Sequence, residues 1–289
     1  MKRINPKSDN QQPVLRQKDN VPGGIYLCQV DKTVSCAACC GLYNLADASR
    51  QRLYELLNDR TDTYTSLARG MDTILEFGRK ITAQTTDGRP FPDFHHCPFI
   101  GLIGTEKSRV GCLLHPLNRI NKGIDYRGLS YYGGLACEVY FCPASRLLSP
   151  ALKTMLKETA GDWYDYGLVV TEEKLLNGFI SRVEAVCGRP LAVDDLSQND
   201  RYPDIVKKLL SLKQSWPHRR RPDPGPCNYF FNDQRYRKPP VDYVNVGGSS
   251  PYNDIFRELN ASFDSPGSLK EGEDYIQDLI DELVRAFRK

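Results

Sequence analysis

The chain has 289 residues, ten of them cysteine, and a net charge of only +3. That length supports one large domain or two smaller ones without disulfides. No run approaches the roughly 18 apolar residues of a membrane span, and so small a charge does not by itself indicate nucleic acid. Lys2 and Arg3 lead into polar residues rather than an apolar export signal. The expected compartment is therefore the cytoplasm, where clustered cysteines persist as thiols, metal ligands or a redox pair rather than as structural disulfides.

In chain order, residues 1–22 are polar, carry Pro6, Pro13 and Pro22 without periodicity, and read as a disordered tail. Residues 23–146 form a cysteine-rich, metal-binding region with a helical insertion at about 47–80. There Leu53, Leu56 and Leu57, then Leu67, Met71, Ile74 and Leu75, recur at helical spacing until 85–90 breaks the pattern. Short apolar runs at 99–104 and 111–114 suggest strands, whereas Tyr131-Tyr132-Gly133-Gly134 and the 137–143 stretch look like loops wrapped around a site.

Residues 147–289 read as a helical region. Ser149-Pro150 is a cap followed by proline at the first helical position. Leu175 to Val186 and Ile205 to Leu212 give two further helices, and the stripe Ile276, Leu279, Ile280, Leu283, Val284 and Phe287 a last one, with acids expected in its first turn and Arg285, Arg288 and Lys289 at its end. An irregular arm at 216–243 mixes His218, Arg219, Arg220 and Arg221 with prolines and aromatics. Such a mixture can hold phosphates and stack bases, but the low net charge favours an arm packed over the helices. Asp162 and Asp165, among aromatics, read as a packed junction between the two halves. The expected fold is mainly α with irregular, loop-rich cysteine-ligated segments and few short strands.

The chemistry concentrates in eight cysteines. Cys36 and Cys39 stand three apart, a spacing that brings two sulfurs to one ion from a turn. Cys40 is adjacent, and neighbouring side chains diverge, so the trio suits a multi-metal cluster or two sites better than one tetrahedral ion. Small Ala37, Ala38 and Gly41 let backbone amides approach sulfur. Cys97, Cys112, Cys137 and Cys142 complete the expected ligands, with Cys28, His96 and His115 as further candidates. Cys97 and Cys142 each precede proline, as in ferredoxin-type ligand runs. Cys187 reads as a small buried hydrophobe, and Cys227 in the arm is left open.

Cys36-x-x-Cys39-Cys40-Gly41, followed by His96-Cys97-Pro98-Phe99-Ile100 and Gly111-Cys112-Leu113-Leu114-His115-Pro116, resembles the cytosolic bacterial family of zinc- or iron-chelating proteins named for its C-x-x-C-x-x-C-C motif. The resemblance covers about residues 28–142. The family's first motif cysteine is Thr33 here, and Cys28 is close enough to substitute. What the resemblance implies is metal binding, an iron–sulfur cluster such as 4Fe-4S ahead of zinc, and no particular reaction. If all eight cysteines ligate, two four-cysteine sites result; without Cys28, one cluster plus spare or histidine-completed ligands fits better.

Nucleotide-binding, zinc-protease and serine-hydrolase motifs are absent, as is the loop of radical S-adenosylmethionine enzymes. Three functions follow as expectations: an electron-transfer or redox protein with an iron–sulfur cluster and a redox or protein partner; a structural zinc protein that binds nucleic acid or protein; and a metal-dependent enzyme, which would be an iron–sulfur oxidoreductase. No membrane partner is expected.

Overall fold

A computed structural model describes residues 21–198, 202–221, 238–243 and 246–288. The expected tail up to residue 20, Cys227 and the centre of the arm lie outside them. The helical insertion is two helices, α1 (Arg50–Ser66), burying Leu53, Leu57 and Tyr64, and α2 (Met71–Thr85), burying Ile74, Phe77 and Ile81. The short strands are β1 (Ile100–Ile103) and β2 (Arg109–Cys112), an antiparallel pair in which Ile100 faces Cys112. The Thr61 hydroxyl of α1 donates to Leu102 O at 2.9 Å and pins β1 to that helix.

Where loops are expected at 131–134 and 137–143, Gly133–Val139 form a helix, α3. Gly133 serves as its entrance with φ at 78°, a conformation that glycine adopts without strain, so it starts this helix rather than breaking it. No residue of α3 is buried.

Among the described residues seven α-helices follow: α4 (Ala144–Leu147), α5 (Pro150–Thr159), α6 (Trp163–Val169), α7 (Glu173–Cys187), α8 (Tyr202–Ser215), α9 (Asn253–Glu258) and α10 (Pro266–Phe287). The described chain is thus mainly α with a single two-stranded sheet. Ser149 caps α5 by accepting from Leu152 N–H, as its place before proline predicts. The start of α10 differs from expectation. Ser265 and Ser268 form a capping box there, placing the helix start well before the apolar stripe, so Glu271, Glu273 and Asp274 sit beyond the first turn.

The two halves are stitched through α6. Its Tyr164 hydroxyl donates to Ala48 O at 2.7 Å and its Tyr166 hydroxyl to Leu27 O at 2.9 Å, while Tyr43 OH donates back to Tyr164 O at 2.9 Å. Gly167 makes room for that last tyrosine, since a Cβ there would come within 2.4 Å of its hydroxyl. Arg50 pairs with Asp162 and, at 2.7 Å, with Asp165, so these acids are structural. The buried apolar side chains form one connected core running from Leu27 to Phe287.

Under α7 and α8 lies a buried ionic network. Glu172 accepts from Lys213 at 2.7 Å and from Lys238, which also pairs with Glu258 at 2.6 Å. The described ends of the arm pack onto residues 260–263: Arg220 N–H donates to Asn260 O at 2.9 Å and Ser262 N–H to His218 O at 2.9 Å. No helix among the described residues is long and apolar enough to cross a membrane.

Candidate metal centre

The Cys36 motif folds as a tight turn. Residues Ala38–Cys40 make one turn of 3-10 helix, closed by Gly41 in the left-handed conformation at φ 77°. Ala38 N–H donates to Cys36 Sγ at 3.4 Å, the amide-to-sulfur contact that small residues permit. Two backbone bonds gather other cysteines to this turn: Cys36 N–H donates to Cys28 O and Cys97 N–H to Cys40 O, both at 2.8 Å. Thr33 occupies an exposed turn, its amide and hydroxyl both donating to Asp31 Oδ1. The neighbouring thiol at this end of the motif is therefore Cys28.

Gly41 is required twice over. A side chain there meets the left-handed backbone cost of about 1–2 kcal/mol, and its Cβ would fall 2.2 Å from the His95 carbonyl oxygen. Gly41→Ala is expected to lower unfolding free energy by more than about 2 kcal/mol, read as an earlier urea midpoint. A variant as stable as the parent would contradict the turn geometry.

The eight cysteines sort into two sets. The charges of Cys28, Cys36, Cys39 and Cys142 all act on one another, placing these four together. The charges of Cys97 and Cys112 act on Cys40, those of Cys97 and Cys137 on Cys112, and those of Cys137 and, more weakly, Cys39 on Cys97. The adjacent pair Cys39 and Cys40 is where the two groups meet, through the hydrogen bond between their thiols and the action of Cys39 on Cys97.

Burial and mutual repulsion govern ionisation. Burial pushes the Cys36 and Cys28 thiols well up, and the neighbouring thiolates raise them further. Burial likewise moves Cys97 to about 11 and Cys112 to about 12. Cys39 is the exception: a hydrogen bond from the Cys40 thiol holds it below its ordinary value, and Cys40 rises as the donor. Closely placed thiols that resist ionising are what a cation repairs, because metal binding displaces their protons. Cys137 is exposed and lies 3.2 Å from Ser130 Oγ, while Cys142 lies 3.9 Å from Ser145 Oγ.

The histidines divide differently. His96 is buried and used at both ring nitrogens, its Nδ1–H donating to Gly41 O at 2.7 Å and its Nε2 accepting from Arg60 Nη2 at 2.9 Å. That leaves no nitrogen for a metal. Burial, with Arg60 adding to it, holds His96 down to about 3, so it is a neutral imidazole. His115 accepts from Leu117 N–H through Nδ1, and its charged neighbours are Arg127, Asp125 and Glu138 rather than thiols. Cys187 is half-buried at the end of α7 and packs against the core.

Two residues beside the thiols belong to no sequence motif. Arg60 and Lys153 are each 1% exposed, yet their hydrogen-bond partners are a neutral imidazole and backbone carbonyls. Two guanidinium nitrogens of Arg60, Nε and Nη1, have no partner. A helical arginine aligned with the apolar positions Leu53, Leu57 and Tyr64 was the available hint.

No group of three or more His, Cys, Asp or Glu among the described residues has its donors converged to hold a metal ion. The fit to a metal thus rests on donor chemistry and grouping: four soft thiols per set, each set beside a buried cation. No protein-family model matches the chain, and neither curated proteins nor solved structures give a match.

Proposed function

We propose that this chain is a cytoplasmic metal-binding protein with two thiolate centres, each holding an iron–sulfur cluster, and that it acts in electron transfer or redox chemistry. The observation that carries the reading is the sorting of eight thiols into two sets of four that meet at Cys39 and Cys40. Four cysteines are the complement of one cubane cluster. The resemblance to the C-x-x-C-x-x-C-C chelating family supports the same reading.

In this assignment Cys28, Cys36, Cys39 and Cys142 hold one centre, and Cys40, Cys97, Cys112 and Cys137 the other. The clusters supply reversible one-electron chemistry; the protein supplies ligation, charge compensation and shielding. Ala38 N–H bonds the Cys36 sulfur, and the Tyr26 and Phe141 rings, packed edge to face with centroids 6.3 Å apart, flank Cys28 and Cys142.

Anaerobic purification is expected to give brown protein containing iron and inorganic sulfide in equal amounts, with absorption bleached by dithionite. Colourless protein that holds zinc instead would overturn the iron–sulfur assignment, since four thiolates also make a closed zinc site.

A further inference from the structure

A buried cation normally finds a carboxylate, because leaving its charge uncompensated costs several kcal/mol. This chain follows that rule elsewhere: Lys213 and Lys238 meet Glu172, and Arg127 meets Asp125 at 2.6 Å. Arg60 and Lys153 do not. Arg60 bonds only to the neutral His96, leaving Nε and Nη1 without partners. Lys153 donates to Ser145 O at 2.7 Å and Gly23 O at 3.2 Å, and neither acceptor carries charge.

Each of these cations stands beside a different thiol set. His96, which holds Arg60, directly precedes Cys97, whose charge is the one that Arg60 senses. Ser145, which holds Lys153, contacts Cys142, and the Cys142 charge is the one that Lys153 senses. A neutral thiol offers little compensation. Four thiolates, however, outweigh a divalent ion and leave a metal centre anionic.

We propose that Arg60 and Lys153 are the dedicated counter-charges of two separate anionic thiolate centres, Arg60 serving the Cys40, Cys97, Cys112 and Cys137 set and Lys153 serving the Cys28, Cys36, Cys39 and Cys142 set. They are positioning residues that act on the centres through charge alone. The inference rests on the reading that both sets hold metal. It adds that each centre has its own electrostatic setting. A positive charge stabilises the more negative, reduced state, so removing it lowers that centre's potential.

The test is an anaerobic potentiometric titration of R60Q and K153Q, followed by electron paramagnetic resonance, with the exposed Arg79→Gln as control. R60Q is expected to shift one centre's reduction equilibrium tenfold or more, which is 59 mV for one electron, and to leave the other unmoved. K153Q is expected to do the reverse. R60K and K153R, which keep the charge, are expected to remain within a threefold change. Where R60Q or K153Q fails to fold, R60M and K153M serve in its place.

Neutral variants that load normally yet shift neither centre, or shift both alike, would overturn the proposal. Should the purified protein hold zinc, the redox reading fails and the counter-charge reading is tested by chelator competition. Each neutral variant is then expected to lose one of two zinc ions at least tenfold faster than the parent, and uniform release would refute it.

Discussion

Glu172→Gln is expected to destabilise the protein by about 3–5 kcal/mol in urea unfolding, because it strips one member from a buried ionic network and strands its lysines. Glu172 is 2% exposed overall, and its carboxylate accepts from both Lys213 and Lys238. Burial alone would raise its carboxyl, but the two lysines outweigh burial and hold it at about 2, against an ordinary 4.5. The folded state therefore binds this proton less readily than the unfolded chain. Its contribution to stability is present above pH 4.5 and is lost as pH falls toward 2. Urea midpoints measured from pH 7 to pH 3 are expected to drop less steeply in Glu172→Gln than in the parent. The exposed pair of Lys208 and Glu282 is the contrast, and Glu282→Gln is expected to cost under about 1 kcal/mol. Equal effects at the two sites would show that burial does not set the value of these pairs.

The second large effect concerns the adjacent cysteines. Cys39→Ser and Cys40→Ser are each expected to lower the metal content of anaerobically purified protein to about half, and the double variant to empty both centres, because loss of one thiolate opens a closed site. The two single variants are expected to differ spectroscopically, each keeping the centre that the other loses. Cys187→Ser, on α7 and away from both sets, is expected to retain full metal. A Cys39→Ser protein that loses all its metal would show that the thiols form one centre rather than two.

Much of the fold was legible because its signals are local. The leucines of α1, the Ser149-Pro150 start of α5 and the α10 stripe each fix an element through spacing or capping within a few residues. Helix α3 was misread because Gly133 and Gly134 look like breakers, whereas Gly133 sits at the entrance to a helix. The candidate site was legible as a list of thiols and as a warning from the Cys39-Cys40 pair. Its division was not, because membership depends on contacts across the chain, such as Cys97 N–H to Cys40 O. His96 looked like a ligand from its place beside Cys97, but Arg60 and Gly41 O, distant in sequence, occupy both its nitrogens. Lys153 and Arg60 carry no motif at all; only their burial without carboxylates marks them.

The tyrosine contacts through α6 bear on the order of events as the chain is made. Cys28, Cys36 and Cys39 leave the ribosome long before Cys142, and the segment carrying Leu27 and Tyr43, already bonded to residues 91–110, gains its ties to the helical half when Tyr164 and Tyr166 arrive. A nascent chain stopped before α6 lacks the tyrosine bonds that tie these loops to the helical half. The first of the two proposed centres is complete only with Cys142, so its loading is expected after synthesis has passed that residue.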